Sequence, residues 1–91
     1  MAKRDRERAW FRRRALIQRL GGKCVECWTT GTKGNPLEVD HVDGRDYDVR
    51  KMDASWRVAQ YEKEERSGVR LEVRCKRHNA NAHKAEWRGA V

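Results

Sequence analysis

The chain has 91 residues, 37% of them hydrophobic and 40% charged, against about 45–50% apolar and 25% charged in an average globular domain. A chain this short buries only about 60–65% of its unfolded surface, which leaves room for one domain, 1–91, whose core needs help from a disulfide, a metal or a partner. Twenty-two Lys/Arg against 14 Asp/Glu give a formal net charge of +8, and such an excess points to a polyanionic partner.

No apolar run reaches the ~18–20 residues of a membrane span, and the N-terminus lacks a secretory apolar core. The chain is therefore expected to be soluble and cytoplasmic, without a membrane partner. Three cysteines in a reducing compartment favour metal binding or catalysis over a disulfide framework. The charge is uneven: residues 1–20 carry eight Lys/Arg and two acids, residues 68–91 six and two, and the stretches between are close to neutral. Two basic blocks around a neutral centre suit contact with a phosphate backbone.

In chain order, 4–20 contains no Gly or Pro, and Trp10, Phe11, Leu16, Ile17 and Leu20 recur near helical spacing. This predicts a basic amphipathic N-terminal helix over 1–20, ended by Gly21 and Gly22. Arg4, Arg8, Arg12 and Arg19 could lie along phosphates or form a solvated face. Cys24 and Cys27 then fall on a tight turn, followed by a Thr/Gly/Lys/Asn/Pro loop or hairpin tip at 29–36. Leu37 to Val42 alternates as a short strand does, with Asp43-Gly44 as the turn after it. A polar surface helix is expected from a cap at Asp53 to Arg66, closed by Gly68. Val69 to Arg74 alternates again and delivers Cys75, and 78–88 reads as the last helix.

Two constellations carry chemistry. Cys24-x2-Cys27 and Cys75-x2-His78 offer four zinc ligands in two clips about fifty residues apart, the donor set of a closed tetrahedral structural site. Zinc ligation is worth on the order of 10 kcal/mol of apparent folding free energy in small domains, enough to offset a thin core. The second constellation is Asp40-His41 with Asn79 and His83. Asn79 and His83 are four apart, on one side of a helix, and Asn79 directly follows the zinc clip. With Asp40 they make a mixed oxygen and nitrogen set suited to Mg²⁺, Mn²⁺, Ni²⁺ or Zn²⁺, which leaves His41 as a general base. The same residue types also allow Asp40 to cap a turn and both histidines to be ordinary surface residues.

Cys24-x2-Cys27, then Val39-Asp40-His41-Val42-Asp43-Gly44, then Leu71-Glu72-Val73-Arg74-Cys75-x2-His78-Asn79 together resemble the HNH endonucleases. The likeness is to the small, zinc-stapled phage-type members and to the endonuclease VII type of resolvase, and it covers about residues 20–88. It implies an α+β fold: a ββα-metal (His-Me finger) core over 21–88 with a structural zinc knuckle, preceded by the N-terminal helix and interrupted by the inserted surface helix. It further implies Asp40, Asn79 and, as in the nuclease colicins, His83 on a catalytic divalent ion, with His41 activating water. Family members usually have a bracing Asn where this chain has Arg70, and a fourth cysteine where it has His78. The segment 45–67, with Trp56, Arg57 and Tyr61, resembles an insert of some phage-type sequences.

The function expected from these readings is metal-dependent hydrolysis of DNA phosphodiesters, leaving 5′-phosphate and 3′-hydroxyl ends. Arg45, Arg74 and Arg77 are candidates for holding phosphate oxygens. His41→Ala is expected to spare folding and abolish cleavage. The partner is double-stranded or branched DNA, with phage packaging proteins as further candidates and a bacterial host cytoplasm as the setting if the chain is phage-encoded. Monomer and homodimer stay open. The rival reading is a non-catalytic, zinc-stabilised nucleic-acid-binding module, in which Asp40 and His41 are structural.

Overall fold

The computed structural model describes residues 3–81. Its elements are α1 (Lys3–Arg19), β1 (Leu37–His41), a 3-10 turn (Val49–Lys51), α2 (Ala54–Arg66), β2 (Leu71–Cys75) and a helical segment, α3, at 76–81. It is a small mixed α/β fold built on one two-stranded antiparallel sheet.

An uninterrupted run of helix-compatible residues makes α1, and the two glycines end it as expected. Gly22 donates to the Ile17 carbonyl at 2.9 Å and Gly21 to the Gln18 carbonyl at 3.1 Å, both glycines at positive φ. This is the paired closure that a left-handed C-terminal glycine permits. The buried stripe of α1 runs through Ala9, Leu16 and Ile17, with Leu20 partly buried. Trp10 and Phe11, expected on that face, instead lie exposed at 51% and 63%, edge to face with each other. Each residue turns the helix by about 100°, so Phe11 falls on the far side from Ala9 and Leu16, whereas Trp10 lies two turns before Ile17 at the edge of the stripe and is left uncovered there.

The inserted helix α2 is not a surface element along its whole girth. Asp53 caps it, accepting from the Trp56 N–H at 2.9 Å, but Val58, Tyr61 and Glu64 are buried. The three-residue steps place them on one face, and α2 packs along α1. Arg12–Glu62 and Arg19–Glu65 ion pairs span the two helices at their exposed rim.

β1 and β2 pair with Leu37 opposite Cys75, Val39 opposite Val73 and His41 opposite Leu71. Alternation divides the sheet: these six face the core, while Glu38, Asp40, Glu72 and Arg74 belong to the other face. β2 starts two residues later than expected, because the Val69 N–H is spent on the Glu64 carbonyl at the end of α2. α3 starts two residues earlier, at 76, because the loop supplies its first partners. Lys76 N–H donates to Pro36 O and Arg77 N–H to Asn35 Oδ1.

The core comprises Leu16, Ile17, Cys24, Leu37, Val39, Tyr61, Val73 and Cys75. Two of these eight are zinc-type ligands. Without a metal, the sulfur end of the core would hold two buried thiols where a larger domain would place aliphatic side chains. None of the described helices is long and apolar enough to cross a membrane.

Candidate metal centre and the charged face of the sheet

The first clip is built by backbone bonds that curl the chain around its sulfurs. Cys24 N–H bonds Thr29 O, Trp28 N–H bonds Cys24 O, and Val25 N–H reaches Val73 O on β2. The second clip straddles the end of β2 and the start of α3. Among the described residues, the group of converging His/Cys/Asp/Glu ligand atoms is Cys24, Cys27, Cys75 and His78, with all four atoms within 4.8 Å of one another. Cys75 Sγ is 3.1 Å and Cys24 Sγ 3.7 Å from His78 Nδ1, and Cys27 Sγ lies 3.9 Å from Cys75 Sγ. A tetrahedron with zinc–sulfur bonds of about 2.3 Å has sulfur–sulfur edges of about 3.8 Å, so the Cys3His set can hold a structural zinc ion.

Local electrostatics prepare two of the three sulfurs; at Cys27 the Thr29 N–H lowers the thiol, but burial and the neighbouring Cys24 and Cys75 together raise it. Burial opposes ionisation of Cys24, yet N–H groups of Cys27, Cys75 and Glu26 aimed at its sulfur prevail and bring the thiol down to about 6. Cys75 is also lowered, burial again being outweighed by the His78 N–H and neighbouring side chains. His78 is raised by its contacts with Cys75 and Cys24. Thiolate ligands are what zinc takes.

On the charged face, Arg74 is the centre. Its guanidinium lies 2.7 Å from Glu26 and 3.3 Å from both Asp40 and Glu72, with the side chain only 17% exposed. Arg74 is thus committed to three carboxylates rather than presented to a phosphate. Glu26 sits between the two cysteines of the first clip, and its other oxygen is 3.9 Å from His78 Nε2. One carboxylate therefore touches both the zinc clip and the charged face, the position of an outer-sphere partner to a metal-bound histidine.

Asn79 joins the same face. Its Nδ2 donates to Glu38 Oε1 at 2.9 Å; because a carboxylate only accepts, the Asn79 oxygen is the atom left over. That Oδ1 is buried and lacks a hydrogen-bond partner among the described residues. Glu38 and Asp40 are two apart on β1, so the structure brings Asn79 to the face of the sheet that carries Asp40.

His41 leaves β1 on the opposite face. It is 2% exposed and lies edge-on to Tyr61 at 5.1 Å between ring centres. Its Nε2 is 3.0 and 3.2 Å from the two Glu64 oxygens and 3.1 Å from Tyr47 Oη, which itself donates to Glu64 at 2.6 Å. His41 Nδ1 is buried without a hydrogen-bond partner among the described residues. The expectation that His41→Ala spares folding therefore changes, since the ring fills core space and partners a buried carboxylate. His41 is the last residue of β1, and the chain turns beside it through Gly44 N–H to His41 O.

The remaining expected site residues scatter. Arg4 and Arg8 are exposed on α1, whereas Arg12 is engaged by Glu62. Arg45 is exposed over the Tyr47 ring, and Arg77 is exposed at the start of α3. His83 lies outside the described residues. Arg70, in the place of the bracing Asn, is exposed near Asp43 at 3.6 Å; the turn after β1 is tied instead by Val42 N–H to the Arg70 carbonyl. Tyr47 and Glu64 were not expected at any site. The available signal was Val58, Tyr61 and Glu64 at three-residue spacing, a buried stripe continued by a carboxylate.

Comparison with models of known protein families, with curated proteins and with solved structures finds no match for this chain.

Proposed function

We propose that this protein is a metal-dependent DNA endonuclease whose β1, β2 and α3 form a ββα-metal core stapled by zinc at Cys24, Cys27, Cys75 and His78. The observation that carries the reading is the buried Oδ1 of Asn79, without a hydrogen-bond partner among the described residues and held on the Asp40 face of the sheet by its own amide. A buried acceptor without a donor costs about 1–3 kcal/mol, and a polar group left so calls for a ligand, an ion or water.

Asp40 and Asn79 would hold the catalytic divalent ion, together with His83 in the reading of the sequence. Bound there, such an ion supplies Lewis acidity toward the phosphate oxygens and the leaving group. Asp40 also faces Arg74, so the ion site has an internal cation as its neighbour. His41 is the general base in the reading of the sequence, with its ring leaving β1 on the face opposite Asp40. The exposed arginines Arg4, Arg8, Arg45 and Arg77 attract and position the phosphate backbone.

The test is conversion of supercoiled plasmid by the zinc-loaded chain with Mg²⁺, Mn²⁺ or Ni²⁺. Nicked or linear product that EDTA suppresses is the expected outcome. A specific observation favours a second reading, a zinc-stabilised module that binds nucleic acid without cutting it: Asp40 is ion-paired with Arg74 and His41 is buried on the far face. Plasmid binding without cleavage under every metal would establish that reading in place of the first. A branched substrate beside a linear duplex separates junction resolution from ordinary nicking.

A further inference from the structure

We infer that Glu64, supported by Tyr47, is the positioning residue that fixes the ring tautomer of His41, placing the proton on Nε2 and the lone pair on Nδ1. The inference rests on the nuclease reading for its consequence in catalysis, but the tautomer itself is a property of the folded chain.

The chemistry follows from the three partners. Both Glu64 oxygens lie within 3.2 Å of His41 Nε2, and a carboxylate accepts without donating. Tyr47 gives its hydroxyl proton to Glu64 Oε1 at 2.6 Å. Burial, and then the hydrogen bond to Glu64, push the Tyr47 hydroxyl above its ordinary value, so it stays a donor, and the oxygen facing Nε2 at 3.1 Å offers only lone pairs. Every atom around Nε2 is therefore an acceptor, and the ring proton belongs there. A neutral imidazole carries one such proton, which leaves Nδ1 as the basic nitrogen.

That nitrogen is buried and has no hydrogen-bond partner among the described residues. If His41 only filled the core, an apolar ring would do so without an orphaned acceptor or a buried carboxylate opposite it. A histidine fixed on its far nitrogen by a carboxylate, with the near nitrogen left as an acceptor, is the arrangement by which an orienting acid prepares a general base. The orienting acid comes from α2, the inserted segment, so the insert contributes to the site as well as to the core.

The experiment uses the full-length, zinc-loaded chain labelled with ¹⁵N, and long-range ¹H–¹⁵N correlation of the His41 ring identified by its loss in His41→Gln. Wild type is expected to show the Nε2–H tautomer. Glu64→Gln, whose amide can donate as well as accept, is expected to give a mixture of the two tautomers and a fall in single-turnover nicking of about a hundredfold or more with little change in the KM for plasmid. Tyr47→Phe keeps the carboxylate, so it is expected to keep the tautomer and lose only a few-fold in rate. Zinc content and melting temperature of each variant establish that it is folded.

An Nδ1–H ring in wild type overturns the inference, as does a Glu64→Gln chain that keeps both tautomer and rate in a protein that nicks. If Glu64→Gln does not fold, a Tyr47→Phe chain that loses the Nε2–H tautomer overturns the role of the carboxylate, and one that keeps it supports that role. A wild-type chain that shows the expected tautomer, and its mixing in Glu64→Gln, but never nicks supports the positioning by Glu64 and removes the nuclease reading instead.

Discussion

The two faces of the β1–β2 sheet are made from the same ten residues yet hold together by different physics. On one face Leu37, Val39 and Val73 pack with Leu16, Ile17 and Tyr61, and Cys75 leads into the Cys24, Cys27 and His78 cluster. On the other, Glu38, Asp40, Glu72 and Arg74 form a charged layer reinforced by Glu26 and Asn79. Burial stabilises the first, joined by zinc where the Cys3His set holds it. The second depends on pairing: one guanidinium balances three carboxylates, and a carbonyl oxygen is left over. The stabilising face and the face suited to chemistry are back to back, and Glu26, near both Arg74 and His78, links them.

The largest effect should come from the zinc end of the core. Cys24→Ser, or exhaustive chelation of the wild-type chain, removes an interaction worth on the order of 10 kcal/mol in small zinc domains. Loss of the cooperative thermal transition by circular dichroism, with loss of the zinc measured by elemental analysis, is the expected outcome. A metal-free chain with an unchanged melt would show that the eight-residue core suffices.

The charged face should be next. Arg74→Gln removes the guanidinium from among Glu26, Glu72 and the 5% exposed Asp40, a loss of about 3 kcal/mol by analogy with breaking a buried pair. His41→Ala on the other face should lose a similar amount, about 2–3 kcal/mol, because it opens core space and leaves Glu64 with only Tyr47. Urea midpoints compare the two directly. A neutral result for Arg74→Gln would mean that the charged layer is solvated.

A smaller effect is expected at the start of α2. Asp53→Ala removes the cap on the Trp56 N–H and should cost about 1 kcal/mol, read as a lower urea midpoint with an unchanged slope. The smallest belongs to the helix rim, where Arg12→Ala breaks an exposed pair with Glu62 and should cost no more than about 0.5 kcal/mol. The Arg19–Glu65 pair adds a weak acid sensitivity. Glu65 is lowered chiefly by its hydrogen bond to Arg19. Its contribution is therefore present above the ordinary glutamate range, fades as pH falls through the depressed value, and should be absent in Arg19→Gln.

The sequence showed α1, α2, both strands and the converging Cys3His set because each leaves a local trace: glycines beyond a helix, period-two alternation, two clips of fixed spacing; most of the last helix expected at 78–88 lies outside the described residues. What it hid were contacts made across long separations. Trp10 and Phe11 fit a helical pattern loosely, and only packing against α2 selected Ala9, Leu16 and Ile17 as the inner stripe. Arg74 read as a phosphate contact because its charge was visible and its three carboxylates, two of them far away in sequence, were not. Glu64 sits in a highly charged helix, and nothing near it in the chain indicates that it meets His41, 23 residues away. Asp40 and His41 are adjacent in sequence but point to opposite faces, a consequence of strand geometry that the dipeptide conceals unless alternation is applied to it.

The most direct measurement is Mn²⁺ titrated into the zinc-loaded chain and followed by electron paramagnetic resonance, for wild type, Asp40→Asn and Asn79→Ala, each checked for zinc content and fold. If Asp40 and Asn79 share an ion, wild type binds one Mn²⁺ beyond the zinc site and both variants lose it. Absence of bound Mn²⁺ in wild type, or binding that neither substitution weakens, would contradict a catalytic metal on the charged face.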